Sequence, residues 1–304
     1  MRDCTLCPRN CHADRSGGKR GYCGQTAEIR AARAALHYWE EPCISGWRGS
    51  GTVFFEGCVL RCVFCQNREI ACDDQGRNGK TIGVIRLSEI FLELQEKGAH
   101  NINLVTPTHF TPQIARALEL AKSSGLRIPV VYNTGSYERV ETLRRMEGLV
   151  DIYLPDFKYV SPRLAARYSH APDYFETAAA ALEEMVRQVG EPVLEEEIPE
   201  ENHILMKRGV IVRHLVLPGC SADSRKVIGY LHEKYGNRIY ISIMNQYTPT
   251  GELSGYPELK RRVHRREYEM VVEYAQRIGV EKGFIQEGDT AEESFIPAFD
   301  QEGL

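Results

Sequence analysis

Phe54-Phe55-Glu56-Gly57-Cys58-Val59-Leu60-Arg61-Cys62-Val63-Phe64-Cys65-Gln66-Asn67 is the stretch on which the reading of this chain turns. Three cysteines fall within eight residues, directly after an apolar run. Thiolates so close together point to a metal, and soft sulfur ligands select zinc, copper(I) or iron-sulfur clusters. A cubane cluster has four iron corners, so three cysteines leave one iron open to a further ligand and to chemistry. Zinc ordinarily takes a fourth Cys or His at a short, regular offset, and none follows Cys65 until Cys72. The spacing therefore favours a cluster over zinc.

The Cys-x3-Cys-x-aromatic-Cys spacing of Cys58, Cys62 and Cys65, with Phe64 before the last cysteine and Asn67 two places after it, resembles the radical S-adenosylmethionine family. The resemblance implies that these cysteines hold a 4Fe-4S cluster and that the amino and carboxylate groups of S-adenosylmethionine chelate the open iron. It further implies reductive cleavage of the sulfonium to a 5'-deoxyadenosyl radical that abstracts hydrogen. Phe64 would pack beside the adenine, which is compatible with its plainer reading as a core aromatic.

At 304 residues the chain has room for one large α/β domain with a small appendage. Its 42% apolar fraction is ordinary for a globular protein, and no run approaches the roughly 18 apolar residues of a membrane span. Met1 to Cys11 is polar and cysteine-rich, unlike a signal peptide, so a cytoplasmic location is expected. A net charge of −4 gives no general pull toward nucleic acid or an anionic membrane. Ten cysteines without an export signal suit metal better than disulfides.

Seven of those cysteines sit in two groups. The second is Cys4-x2-Cys7-Pro-Arg-Asn-Cys11 followed, past a Gly-rich turn, by Cys23, and four thiolates at such offsets surround one zinc or one Fe-S cluster. Such a knot organises a segment too short to bury a core of its own. His12, beside Cys11, reads as a surface residue, and Cys43, Cys72 and Cys220 as small buried hydrophobes. Residues 1–50 are thus a cysteine-rich segment and connector, with 27–50 poorly periodic, and 51–304 carry the barrel and a C-terminal extension.

From residue 52 strand and helix signals alternate. Strands are expected at 52–55, 102–105, 128–132, 150–154, 210–217 and 239–244, with a closing strand at 283–286. The helices between them include one capped by Ser88, one opened by Thr111-Pro112, and a long section over 162–189. Residues 73–80 and 191–203 read as polar loops, the latter a solvated run containing Glu195-Glu196-Glu197 and Glu200-Glu201. The alternation predicts a parallel sheet with right-handed crossovers, a partial (β/α)6 TIM-like barrel, which is also the fold the resemblance implies.

In such barrels the residues just past each strand face the site. After the second strand, where the family has Gly-Gly-Glu, stands Thr106-Pro107-Thr108-His109; the backbone of Thr106 and Thr108 would serve the methionine moiety, and His109 is either a contact or structural. Asn133-Thr134-Gly135 and Asp156-Phe157-Lys158 resemble corners of the glycyl-radical-enzyme activases, and Arg213 through Pro218-Gly219 resembles their arginine and Pro-Gly corner. An acid and an amine two apart on an extended segment point the same way and suit a zwitterionic ligand, and Arg213 suits a bidentate carboxylate clamp. Gln246 or Tyr247 replaces the histidine of the family's sixth-strand ending. Cys220 is expected near the mouth as a buried thiol.

Within the family the chain resembles pyruvate formate-lyase activating enzyme and its relatives, with an added four-cysteine N-terminus. That implies hydrogen abstraction from a glycine of a partner glycyl radical enzyme, fed by a flavodoxin or ferredoxin-type electron donor. A radical enzyme with a small-molecule or peptide substrate is the second reading, and a non-catalytic iron-sulfur redox sensor or electron carrier the third.

Overall fold

The chain is described by a computed structural model over residues 1–73, 76–198, 203–286 and 297–304. In chain order it forms β1 (Ile29–His37), α1 (Pro42–Ser45), β2 (Ser50–Phe55), α2 (Arg68–Ala71), β3 (Lys80–Ile82), α3 (Val84–Glu96), β4 (Ile102–Val105), α4 (Thr111–Ser123), β5 (Val130–Thr134) and α5 (Val140–Arg144). There follow β6 (Ile152–Pro155), α6 (Pro162–Ser169), α7 (Tyr174–Val189), β7 (Val193–Ile198), β8 (His203–Leu215), α8 (Ser221–Tyr235), β9 (Tyr240–Met244), α9 (Arg265–Arg277) and β10 (Gly283–Ile285). The sheet runs β10-β9-β8-β6-β5-β4-β2-β1-β3, with β7 paired to β8. From β2 to β10 every neighbouring pair on that path is parallel, an unclosed half-barrel as the alternation predicts.

Both faces of the parallel strands from β2 to β6 are buried, so these strands read as apolar runs and the period of two shows only in what each face meets. Tyr132, Tyr153, Val210 and Val212 pack into the main core that the helices cover. Their neighbours in sequence face the lumen in layers. Val131, Ile152 and Ile211 form a bottom layer that packs with Cys43 and Ile44 of α1. Asn103, Asn133, Arg213 and Ser242 stand at the next inward position of their strands, and Asp156, Leu215 and Met244 at the next again. Helix α1 is thus a plug at the amino ends of the strands, tied there by Asn101 Nδ2 donating to the Ile44 carbonyl at 2.7 Å.

Several local expectations are corrected. Residues 29–37 are a nine-residue strand, not connector; Ile-Arg-Ala-Ala-Arg-Ala-Ala-Leu-His has little β propensity, but small side chains are what fit between β2 and the returning C-terminal residues. Gln301 donates to Ala32 O at 3.0 Å and Glu302 O accepts from Ala34 at 2.8 Å. Ser88 is buried inside α3, which begins after Gly83. The long helix breaks into α6 and α7 at His170, left-handed at φ 53°. Residues 193–198 are a strand, because β8 is long enough to carry a hairpin partner; the expected Glu200-Glu201 run lies outside the described residues.

His214, on the outer face of β8, is 2% exposed and shares a 2.7 Å hydrogen bond between Nδ1 and Phe157 O. Burial holds its imidazole down to about 4 from 6.5. Below about pH 6.5 the unfolded chain takes up a proton that the folded chain refuses, so this group's contribution is full above 6.5 and is lost as pH falls toward 4. His214→Gln should flatten the pH dependence of urea unfolding across that window, by up to about 3 kcal/mol at its acid end. A slope equal to the parent's would refute the assignment.

Candidate active site

The cysteine loop hangs from the carboxyl end of β2. Gly57, at φ +89°, begins it against the N-terminal segment: a Cβ there would lie 2.6 Å from Cys23 O and 2.5 Å from Gln25 Cγ. Arg9 Nε donates to Val59 O at 2.8 Å while Nη2 donates to Ser169 O at 3.0 Å and Nη1 to His170 O. Val63 N donates to Tyr168 O at 2.9 Å, and Cys62 Sγ lies 3.0 Å from Ser169 Oγ. The loop is therefore held on one side by the N-terminal segment and on the other by the end of α6.

Cys58, Cys62 and Cys65 all line one cavity of about 550 Å³. Burial pushes the Cys62 thiol up to about 11 and raises Cys58 and Cys65 as well. Thiols so placed stay protonated until a metal makes them thiolates. Among the described residues no three His, Cys, Asp or Glu side chains converge as they would on a single ion. Three adjacent thiols facing one cavity suit a cluster, whose cysteines each take a different iron.

All nine further residues singled out from the sequence line the same cavity: Phe64, Asn67, Thr106, Thr108, Asn133, Asp156, Lys158, Arg213 and Gln246. Phe64 stands edge-on to Tyr168 and Tyr247, ring centroids 6.5 Å away in each case. Gln66 Nε2 donates to Gln246 O at 2.8 Å, tying the loop to the end of β9. Gly135 leaves no room for a side chain, since a Cβ would lie 2.8 Å from Leu60 Cδ1. Thr106 is left-handed at φ 59°, an outlier for a β-branched residue. Thr108 and Thr134 each donate their hydroxyls at 2.6 Å to Glu138, whose carboxyl burial raises to about 7.

The charged wall is one chain. Arg213 donates from Nε to Asp156 Oδ1 at 3.0 Å, from Nη1 to Glu40 Oε2 at 2.9 Å and from Nη2 to Asn133 Oδ1 at 2.6 Å. Lys158 Nζ reaches Asp156 Oδ2 at 2.7 Å, and Asn103 Nδ2 donates to Glu40 Oε1 at 2.9 Å. Burial alone would raise the Asp156 carboxyl, but Lys158 and Arg213 outweigh it and hold it low. Three of the five Arg213 N–H groups are thus engaged inside the protein.

Other expected residues lie elsewhere. His109 is behind the cavity, Nε2 at 2.7 Å from Glu56 O, its imidazole held near 3 by burial. Cys220 is buried at the start of α8, and Tyr247 donates its hydroxyl to Leu259 O at 2.6 Å. His12 pairs with Asp3 at 2.6 Å on the surface. All ten cysteines are free. Cys4, Cys7 and Cys23 are buried and Cys11 partly so, and a Cβ at Gly21 would sit 3.3 Å from Cys11 Sγ and 3.5 Å from Cys23 Sγ. Sequence reasoning missed His37, Trp39, Glu40 and Glu41, which line the cavity from the turn between β1 and α1. The available signal was an adjacent acid pair between an aromatic run and Pro42.

Arg213→Met leaves two buried carboxylates short of a partner, so urea unfolding should show a loss of about 3–5 kcal/mol, partly restored by Glu40→Met. A loss below about 1 kcal/mol, as for an exposed pair, would contradict the network.

Three comparisons bear on this geometry. Residues 52–193 match the model of the Radical SAM superfamily. An uncharacterized protein of Methanocaldococcus jannaschii is 28% identical over 290 residues, covering 92% of this chain and 76% of that protein. Among solved structures, SuiB of Streptococcus suis bound to its precursor peptide SuiA superposes with a TM-score of 0.50 at 16% identity, over 76% of this chain and 46% of SuiB. HydG, a maturase of the FeFe-hydrogenase, gives 0.50 at 16% over 81% and 54%, and methylornithine synthase PylB 0.50 at 13% over 75% and 60%. These likenesses concern the fold, and the chain spans about half the length of the solved structures it matches.

Proposed function

From a chain whose residues 52–193 match the Radical SAM superfamily model, we propose an enzyme that cleaves S-adenosylmethionine and takes hydrogen from a substrate held in the half-barrel. The carrying observation is that three cysteines with the 58-62-65 spacing and nine polar and aromatic residues from the loop and the strand ends meet at one cavity. Cys58, Cys62 and Cys65 would hold a 4Fe-4S cluster, which with S-adenosylmethionine would supply the reductive cleavage of the sulfonium. The chain's own part is to seat and shield. Phe64 offers a ring face beside the cysteines, Gln66 and Gln246 fix the loop to β9, and Glu138 orients the Thr108 and Thr134 hydroxyls at the cavity rim. Lys158 and Asp156 present a balanced charge pair to a zwitterion.

For the hydrogen donor, the Asn133-Thr134-Gly135 and Asp156-x-Lys158 corners support a glycine of a partner glycyl radical enzyme, with a flavodoxin or ferredoxin-type electron donor in the cytoplasm. The charged layer below them favours a second reading, a small molecule or peptide whose own polar group that layer recognises; that SuiB, of like fold, is bound to a precursor peptide supports the peptide form of this reading. Cys4, Cys7, Cys11 and Cys23 are proposed to hold a second metal, zinc or iron-sulfur, that stiffens the segment bearing Arg9. No helix among the described residues is long and apolar enough to cross a membrane.

Anaerobically reconstituted, reduced protein should form 5'-deoxyadenosine, and a Cys58/Cys62/Cys65→Ala variant should form none. Absence of product from the parent, with cluster content and reduction verified, would favour the sensor or carrier reading. Given product, a glycyl radical on an added partner supports the first donor, and isotope transfer from a deuterated small molecule or peptide supports the second.

A further inference from the structure

The middle of the half-barrel leaves one acidic side chain over. Glu40, Arg213, Asp156 and Lys158 alternate in sign and satisfy one another. Glu41, the next residue in sequence, stands outside that chain. It lines the same cavity, is 8% exposed, and its Oε2 has no hydrogen-bond partner. Burial pushes its carboxyl up, while Arg213 and the Ser242 hydroxyl oppose the rise. Arg213 already donates to Glu40, Asn133 and Asp156, and none of its bonds reaches this oxygen.

Depth separates this carboxyl from the cysteines. Glu41 leads directly into α1, whose Cys43 and Ile44 pack against the bottom layer, and Ser242 beside it is the middle residue of β9. The cysteine loop leaves the opposite, carboxyl end of β2. We propose that Glu41 anchors a protonated amine or guanidine of the substrate, seated on the cavity floor while the rest of the molecule extends toward the cysteine loop.

A cation suits the site better than an anion. Three carboxylates face two cationic side chains, and the nearby His37 is held neutral, near 4, by burial and by Arg33 and Arg213. A cationic nitrogen balances the excess and gives the orphaned oxygen a charge-assisted bond, whereas a carboxylate would add to the excess. Trp39 and Phe284 line the same cavity.

The inference rests on the proposed function only for reading the cavity as a substrate site, and binding calorimetry on oxidised, cluster-reconstituted protein with S-adenosylmethionine present needs no radical cleavage. A failed cleavage assay and a failed binding assay are therefore separate results. The probes are agmatine, putrescine and Nα-acetyl-lysine amide, with glutarate as the anionic control. At least one amine should bind the parent and lose about ten- to a hundredfold in Glu41→Gln, with affinity partly kept in Glu41→Asp, while iron content and affinity for S-adenosylmethionine stay within about twofold. The proposal is overturned if no probe amine binds the parent, if Glu41→Gln binds the amines equally well, or if glutarate binds better. It is also overturned if the amines displace S-adenosylmethionine and Glu41→Gln weakens that cofactor, since the anchored nitrogen would then be the cofactor's own.

Discussion

A guanidinium that cannot give up its charge is buried inside a half-barrel, and the interior is arranged to accommodate it. Desolvating Arg213 would be prohibitive without compensation, and compensation comes from Glu40, Asn133 and Asp156, which belong to the turn before α1, to β5 and to the residue just past β6. It bridges the place where the sheet is thinnest. The ladder between β6 and β8 consists of Ile152↔Gly209 and Tyr153↔Val210, then resumes only at the single bridge Asp156↔Arg213. The ion pair and the Phe157 N donation to Arg213 O at 2.8 Å span that gap. Because Glu40 must reach Arg213, the turn carrying Trp39 and Glu41 is pinned to the floor as well.

The upper end of the cavity is governed from outside the barrel. Cys58 is flanked by two contacts with the N-terminal segment, Gly57 against Cys23 O and Val59 O on Arg9. Arg9 simultaneously holds the end of α6, and its guanidinium stacks over Tyr22 at 4.2 Å. Arg15 reaches further, donating to His109 O at 2.7 Å, and His109 in turn meets Glu56 O just before the loop. Whatever orders the four N-terminal cysteines thus also sets the entry and exit of the loop that carries the other three, and the knot is a buttress for the site at the least.

The parallel strands were legible because their apolar runs, spaced by amphipathic helices, leave one topology, and the cysteine loop was legible because few chemistries tolerate three thiols in eight residues. What escaped was set by tertiary contact. An alanine-rich strand between β2 and the C-terminal residues carries no local signal, and the two-residue acid pair at Glu40 acquires meaning only when β8 brings Arg213 to it, 173 residues away. How far Arg213 is engaged within the protein was equally illegible. An arginine at a strand end suggests a free clamp, whereas its occupancy depends on side chains from three other segments.

Thr106 shows how a departure from a family pattern can preserve a shape. At the end of β4, where the resemblance would place glycines, the backbone still takes the left-handed turn at φ 59° that glycine adopts freely and a β-branched residue adopts at a cost of about 1–3 kcal/mol. The turn is enforced from both sides: Thr106 N donates to Asn133 O at 2.9 Å, and Thr108, two residues on, is fixed through its hydroxyl to Glu138. Glu138 also collects the Thr134 and Tyr132 hydroxyls, so β4 and β5 are locked to one buried carboxyl. A strained turn held by a partly uncompensated acid is a costly way to end a strand. The backbone that glycine would have supplied by flexibility is here supplied by constraint, with a hydroxyl added to the cavity wall.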